Sequence, residues 1–250
     1  MGPADVSRAG AQPRPAFYAL APGGWRDYVT LLHLPYTAWH LSYVVIGACL
    51  APTVDWGRLG LVVAAFALAV GIGSHALDEL RGHPLRTAIP DRVLIVLAGL
   101  SIAVACAIGL VGAAAFEPWL AALVPVGLFL VVAYNLELAG GRFHTDLWFA
   151  LAWGGFPVLC GYAAVSGEIG VAAVVAAAFA VVLSLAQRTL SNRVRQVRRR
   201  VAAVHGELEL ADGTRELLDR DGLIVVEERA LRLLALATVL LAAALVAARL

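Results

Sequence analysis

Polar and charged side chains gather in three short stretches of the chain, and the first has the residue types that bind a metal and a phosphate. In GIGSHALDELRGHPLRTAIPDR, His75, Asp78 and Glu79 lie within about one helical turn, and Arg81 and Arg86 follow in a loop. Carboxylate oxygens suit Mg²⁺, and guanidinium groups bind phosphate oxygens in pairs. The stretch therefore predicts a site for Mg²⁺ and a diphosphate; the alternative is an ordinary helix end with a surface ion pair.

The second stretch, AYNLELAGGRFHTDLWFALAWGGFP, places Tyr134 and Asn135 at the end of an apolar run. Arg142, His144 and Asp146 follow in a loop whose glycine pair permits a tight turn. Arg142 is a residue type that binds phosphate, and His144 and Asp146 are residue types that act as general bases. These residues predict a second part of the same site.

An aromatic stripe continues the second stretch, because Phe149, Trp153 and Phe156 recur at helical spacing. Aromatic faces stabilise a nearby cation, so such a stripe is able to line a channel for an isoprenoid and its carbocation. For any one of these rings, packing against neighbouring helices or lipid is the alternative.

The third stretch, SLAQRTLSNRVRQVRRR, places Gln187, Ser191 and Arg195 on one helical face and Arg188 and Asn192 on another. Its arginines predict either an anchor for anionic lipid headgroups or a part of the binding site for an anionic substrate. A nucleic-acid partner is not expected, because the stretch adjoins an apolar segment and has no interleaved aromatic residues.

The composition places these stretches in a membrane protein. Hydrophobic residues make up 61% of the 250 residues and charged residues 15%. Soluble domains are nearer about half apolar and about a quarter charged. The basic residues are all arginine, which together with the alanine content is typical of a GC-rich genome.

Seven segments are long and apolar enough to cross a bilayer as helices, which needs about 20 residues. None alternates with the period of a strand, so we predict an all-α bundle of seven transmembrane helices. One membrane domain over 28–250 follows a cytoplasmic tail over 1–27, and a loop over 188–232 precedes the last helix. This loop favours an amphipathic helix near 216–231 or a hairpin at Asp212. The predicted spans are 27–55 (starting near Pro35), 59–77, 93–116, 118–136, 147–167, 169–187 and 233–248.

The arginines decide which helix ends face the cytoplasm. The tail and the connections between spans two and three, four and five, and six and seven hold 3, 3, 1 and 10 of the 19 arginines, 17 in all. Positively charged connections stay inside, so the N-terminus and all three polar stretches are predicted on the cytoplasmic side. The expected location is the cell membrane of a bacterium or an archaeon, with the site facing the cytoplasm.

The three polar stretches close the second, fourth and sixth spans on one side, and this arrangement resembles the UbiA superfamily of intramembrane prenyltransferases over residues 30–200. SHALD followed by HPLRTAIP is similar to a divergent first aspartate-rich motif, in which Asp78 matches the second aspartate. Ser74 and His75 stand where an asparagine and the first aspartate would be. Tyr134 matches a tyrosine near the end of the family's fourth helix. The family's second aspartate-rich motif is replaced by QRTLSNRVR, which has no carboxylate.

The resemblance implies transfer of a prenyl group from a prenyl diphosphate to a lipophilic acceptor, with Mg²⁺ as cofactor. It implies catalytic roles for Asp78, Tyr134 and Asp146, and a metal held by Asp78 and Glu79. The implied substrate-binding residues lie around the diphosphate and the prenyl chain: His75, Arg81, Arg86, Asn135, Arg142, Trp153, Gln187, Arg188 and Asn192.

A second interpretation is a non-catalytic membrane protein on the same scaffold. It would bind an isoprenoid or an anionic lipid, or act as a subunit of a membrane complex. The arginines of the third stretch favour it, because a site built from arginine binds an anion without a metal. A transporter is disfavoured, because no charged residue is predicted in the middle of a span.

Overall fold

The computed structural model describes residues 14–250 and is mostly helical (71%). A short helical turn, Leu138–Gly141, joins α5 to α6, and the two strands form an antiparallel hairpin. The elements are α1 Trp25–Leu31, α2 Leu34–Cys49, α3 Trp56–Glu79, α4 Asp91–Ala115, α5 Pro118–Asn135, α6 Asp146–Ser166, α7 Val171–Arg200, β1 Glu207–Glu209, β2 Arg215–Leu217 and α8 Val225–Ala247.

Within the described residues, six helices, α3 to α8, are long and apolar enough to cross a membrane. They confirm the prediction of a helical membrane protein, and each of them overlaps one predicted span. The predicted first span corresponds to α2, which begins at Leu34, beside Pro35 as expected, but has only 16 residues. At ~1.5 Å per residue it is about 24 Å long, shorter than the ~30 Å hydrocarbon core of a bilayer.

The long connection predicted over 188–232 is a loop only over 201–224. Helix α7 continues to Arg200 because Val194 and Val197 on this polar extension bury against Ile224 and Leu231 at the start of α8. The hairpin predicted at Asp212 is confirmed, since β1 and β2 flank it. The amphipathic helix predicted near 216–231 is present only from Val225, where α8 begins.

The segment before α1 is packed on the helices from residue 14 onward, whereas the sequence predicts a tail over 1–27, of which 1–13 lie outside the described residues. Phe17 and Tyr18 contact each other edge to face, and both contact Tyr36 of α2. The backbone N–H of Leu20 donates to the hydroxyl of Thr30 at 3.0 Å. Burial of these rings accounts for the packing that charge and glycine content do not predict.

Helices α2 and α6 form the centre of the bundle, and glycines let their backbones touch. Ten of the 16 residues of α2 are buried. A Cβ at Gly47 would overlap the carbonyl of Val158 on α6, and a Cβ at Gly161 would overlap the carbonyl of Val44 on α2. Such reciprocal small-residue contacts are how membrane helices pack closely without a hydrophobic driving force.

The two ends of the bundle differ in how the helices are connected. At the end with few arginines, Arg249 donates to the carbonyls of Cys49, Ala51 and Pro52, closing the C-terminus of α2. Such a cap satisfies carbonyls that the helix itself leaves unpaired. The other end, hereafter the arginine-rich end, combines the starts of α2, α4, α6 and α8 with the ends of α3, α5 and α7, and it contains the three polar stretches.

We expect Gly161→Ala to lower the free energy of unfolding by about 1–3 kcal/mol, because a methyl group would force α2 and α6 apart. The measurement is unfolding of the purified protein in mixed micelles by titration with sodium dodecyl sulfate. Gly99→Ala on α4 is the matched control, since a Cβ there meets no atom within 4 Å. Equal effects of the two substitutions would show that the close contact between α2 and α6 does not limit stability.

Candidate functional site

Asp78, Tyr134 and Gln187, which close alternate predicted spans, all line one cavity of about 590 Å³ at the arginine-rich end. The cavity is bounded by the start of α2, the end of α3, the end of α5, the start of α6 and the last turns of α7. Of the predicted substrate-binding residues, those that also line the cavity are His75, Arg81, Asn135, Trp153, Arg188 and Asn192. The three polar stretches therefore form one site.

Two segments of π-helix bring residues into this cavity. In α3 the segment Ala67–Ser74 directly precedes His75 and Asp78, and in α6 the segment Leu151–Gly155 contains Trp153. A π-helical turn widens the helix and shifts the direction of the side chains that follow, and it is found often at functional sites. A helical wheel drawn from the sequence at 3.6 residues per turn does not reveal this shift.

An aromatic wall forms one side of the cavity. The rings of Phe149 and Trp153 are parallel with centroids 5.6 Å apart, and Tyr134 lies 4.7 Å from Trp153. The hydroxyl of Tyr134 makes no hydrogen bond to any residue in 14–250. His40 of α2 donates from Nδ1 to the carbonyl of Trp153 at 2.9 Å and so fixes the wall against the centre of the bundle.

Asp146 holds an arginine in place, and this geometry does not support the prediction that it is catalytic. Its carboxylate accepts hydrogen bonds from Arg188 at 2.8 Å and from Asn192 at 3.0 Å. The Arg188 guanidinium also lies 4.9 Å from the centre of the Phe149 ring. Asp146 does not line the cavity, and its oxygens are occupied, so its part is to position Arg188 and Asn192.

The carboxylate of Glu79 faces the loop that follows α3, so the geometry does not support the prediction that it shares a metal with Asp78. It is 1% exposed and accepts hydrogen bonds from the N–H of Leu85 and from the N–H and hydroxyl of Thr87 at 2.8 to 3.0 Å. A buried carboxylate with three donors is a structural group. It fixes the loop that carries Arg81 and Pro84 to the cavity.

Asp78 differs from its neighbour, because no hydrogen bond or ion pair within the described part of the chain engages its carboxylate, which lines the cavity. No group of three or more histidine, cysteine, aspartate or glutamate side chains in residues 14–250 is placed to hold a metal ion. The donor set is thus a single free carboxylate. That is enough for Mg²⁺ shared with a phosphate, since this ion is usually bound through one or two carboxylates, water and substrate oxygens.

The other predicted residues fall into two groups. Arg81 reaches across to α5 and pairs with Glu137 at 2.8 Å. Asn135 exchanges hydrogen bonds with Ser74, linking the ends of α5 and α3. In contrast, Arg86 and Arg142 are exposed and do not line the cavity, so the geometry does not support their assignment to the substrate.

The sequence did not single out the N-terminal residues that line the cavity. Tyr18 lies against His33, and the His33 ring stacks on His75 with centroids 4.0 Å apart. Burial lowers the pKa of His33 well below its ordinary value, so this histidine is neutral at physiological pH. Its Nε2 is buried without a partner in residues 14–250. The signal that the sequence offers is the adjacent aromatic pair Phe17 and Tyr18.

A second, apolar cavity adjoins the first. It has a volume of about 160 Å³, lies between α3, α4, α5 and α6, and is lined almost entirely by aliphatic and aromatic side chains. Phe156, the third ring of the predicted stripe, faces this groove, and Trp153 lines both cavities. A polar chamber and an apolar groove therefore meet at one tryptophan.

Comparison of the chain with protein-family models, with curated proteins and with solved structures finds no match. The relationship to the UbiA superfamily stays a prediction that is based on SHALD, HPLRTAIP and Tyr134.

We expect Glu79→Gln and Asp78→Asn to have opposite effects. Glu79→Gln turns an amide N–H toward backbone donors and should lower the free energy of unfolding by about 1–3 kcal/mol, with Mg²⁺-dependent binding of pyrophosphate retained. Asp78→Asn should leave stability unchanged and weaken that binding. Detergent unfolding and titration calorimetry measure the two properties. Loss of pyrophosphate binding in Glu79→Gln at unchanged stability would instead support the prediction that Glu79 is a metal ligand.

Proposed function

We propose that the protein is a UbiA-like intramembrane prenyltransferase that moves a prenyl group from a prenyl diphosphate to a lipophilic acceptor. The observation that carries this proposal is the meeting of a polar, arginine-rich cavity with an apolar groove at Trp153. A prenyl diphosphate has the same two halves, a compact anion and an apolar chain. Neither cavity alone would favour this substrate over a soluble phosphate or an ordinary lipid.

The polar cavity supports binding of the diphosphate through charge. Arg188 and Arg81 line it beside Asp78, and Arg188 is 7% exposed, so its charge acts in a region from which water is largely excluded. Mg²⁺ bound by Asp78 and the diphosphate would neutralise charge on the leaving group. The arginines stabilise the same charge through hydrogen bonds that are already oriented before the substrate binds.

The aromatic wall supports the chemistry at the allylic carbon. When the bond from that carbon to the diphosphate oxygen breaks, the leaving group takes the electron pair and positive charge develops on the prenyl chain. Trp153 lies at the junction of the two cavities, and Tyr134 and Phe149 line the polar cavity beside it. The three rings would stabilise that charge and shield it from water. The acceptor then forms its bond to the same carbon and loses a proton.

His144 replaces Asp146 as the candidate base for this proton. Its Nδ1 donates to the carbonyl of Tyr134 at 3.0 Å, and its ring stacks on that tyrosine with centroids 4.3 Å apart. Because a carbonyl only accepts, Nδ1 carries the hydrogen and Nε2 of the neutral ring is left able to accept a proton. His144 lines the cavity, whereas the oxygens of Asp146 are occupied.

The proposal includes a topology of seven spans, with α2 as a short first span in the centre of the bundle. The 17 arginines of the tail and inner connections then lie in the cytoplasm, together with the N-terminus and the mouth of the polar cavity. Exposed apolar side chains on α4, α7 and α8, such as Leu100, Val182 and Leu240, support contact with lipid around the bundle.

A second candidate is a non-catalytic protein that binds an isoprenoid or an anionic lipid. The specific observation in its favour is that Asp78 is the one cavity-lining carboxylate in residues 14–250 that has no arginine partner. A site with more guanidinium groups than free carboxylates binds an anion without being built around metal ions.

Turnover separates the two functions. The full chain in lipid nanodiscs, given Mg²⁺, labelled geranylgeranyl diphosphate and a set of lipophilic acceptors, should release diphosphate and form a prenylated product. Asp78→Ala should lower the rate by on the order of 100-fold or more, because charge on the leaving group is no longer neutralised. Asp91→Ala is the matched control, since Asp91 is exposed at the same end and does not line the cavity.

The absence of product across several chain lengths and acceptors, together with ligand binding that chelation leaves unchanged, would exclude the enzyme and favour the binding protein. Release of diphosphate at equal rates by the wild type and Asp78→Ala would show that the transfer reaction does not take place in this cavity.

A further inference from the structure

The charges that face the polar cavity are not balanced, and the excess lies on α7. Arg81 is paired with Glu137, and Arg188 is paired with Asp146. Arg195 and Arg199 also line the cavity, yet neither forms an ion pair with any carboxylate in residues 14–250. Arg199 is exposed, whereas Arg195 is partly withdrawn from water. A guanidinium group in the position of Arg195 needs a counter-charge, and no carboxylate in the described residues supplies one.

Arg195 is also held in a fixed position. It donates from Nη2 to the side-chain oxygen of Asn192, and the amide nitrogen of Asn192 donates in turn to Asp146. The orientation of the amide follows, with its oxygen toward Arg195 and its nitrogen toward the carboxylate. The remaining N–H groups of the Arg195 guanidinium have no partner in the described residues, so they stay available to a ligand.

Three arginines that line the cavity lie on one face of α7. Arg188, Arg195 and Arg199 follow one another at spacings of seven and four residues, which brings them to the same side of a helix. Gln187, on the cavity side of the same helix, is 3% exposed, and its side-chain oxygen has no hydrogen-bond partner in residues 14–250. An amide oxygen only accepts, so this atom calls for a donor such as water and is not part of the phosphate contacts.

We propose that Arg195 and Arg199 form a phosphate-binding subsite that holds a diphosphate without a divalent cation. This inference rests on the proposed function, because it takes the cavity as the diphosphate site, and it states how that anion is bound. Recognition then has two parts. The α7 side binds phosphate oxygens through guanidinium groups at any Mg²⁺ concentration, and the α3 side, through Asp78, adds a contribution only when Mg²⁺ is present.

Binding of inorganic pyrophosphate to the full chain tests this division. Titration calorimetry in nanodiscs of zwitterionic lipid should detect binding in the presence of a chelator, with tighter binding after Mg²⁺ is added. Arg195→Gln should weaken binding by about tenfold or more under both conditions, because a charge-assisted hydrogen bond is lost. Asp78→Asn should weaken it only with Mg²⁺.

Arg193→Gln is the matched control. Arg193 is on the same helix and is exposed outside the cavity. Its substitution by glutamine removes the same charge as Arg195→Gln. The affinity of the Arg193→Gln variant for pyrophosphate should stay within about twofold of that of the wild type, since exposed charges are screened. Equal losses in Arg193→Gln and Arg195→Gln, or no binding by the wild type without Mg²⁺, would overturn the subsite. Unchanged gel-filtration and unfolding profiles check that each variant is folded.

A lipid headgroup carries the same phosphate chemistry and is distinguished by a second arm. If nanodiscs that contain an anionic phospholipid lower the affinity for pyrophosphate in the wild type but not in Arg195→Gln, the subsite takes lipid phosphate and the subsite assignment stands. The proposed function is tested separately. Pyrophosphate binding without prenyl transfer would exclude the prenyltransferase function and leave the subsite supported. Prenyl transfer that is unaffected by Arg195→Gln would exclude the subsite alone.

Discussion

The contact between α2 and α6 is the constraint on which the rest of the structure depends. Gly47 and Gly161 let two backbones touch in the middle of the bundle, and these contacts fix the position of α2 along the axis of α6. That axial position allows His40 to bond to the carbonyl of Trp153, and it therefore sets the position of the aromatic wall relative to the start of α2. A larger residue at either glycine would separate the two walls of the polar cavity.

The π-helical segments extend this constraint to the chemistry. In α6 the carbonyl of Trp153 lies inside such a segment and accepts a hydrogen bond from His40. In α3 the carbonyl of Gly71 lies inside the other segment and accepts one from His75 at 3.2 Å. In both helices a histidine side chain thus satisfies a carbonyl in a stretch where the regular hydrogen-bond ladder is disturbed. The disturbance is local, and it lies directly beside the residues that line the cavity.

Hydropathy and arginine counts were sufficient to predict which helix ends share a side of the bundle, because both follow from the cost of burying charge in hydrocarbon. This is why Asp78, Tyr134 and Gln187 were expected together and are found together. The same arguments could not distinguish Asp78 from Glu79, since adjacent residues on a helix differ by about 100° in direction and only the loop after α3 decides which one is buried. They also could not predict that residues 15–18 cover part of the cavity, because aromatic packing across distant segments leaves no periodic signal.

The arginines of α7 differ in how far they are buried. A bias in topology needs positive charge on one side of the membrane and is satisfied by exposed groups such as Arg193. It does not need Arg188, which is 7% exposed, lies over Phe149 and is paired with Asp146. Withdrawal of its guanidinium from water costs desolvation that an exposed arginine avoids, so its position calls for a reason other than orientation. The anion proposed for the adjacent cavity would supply that reason, since it would interact with Arg188 most strongly where water is excluded.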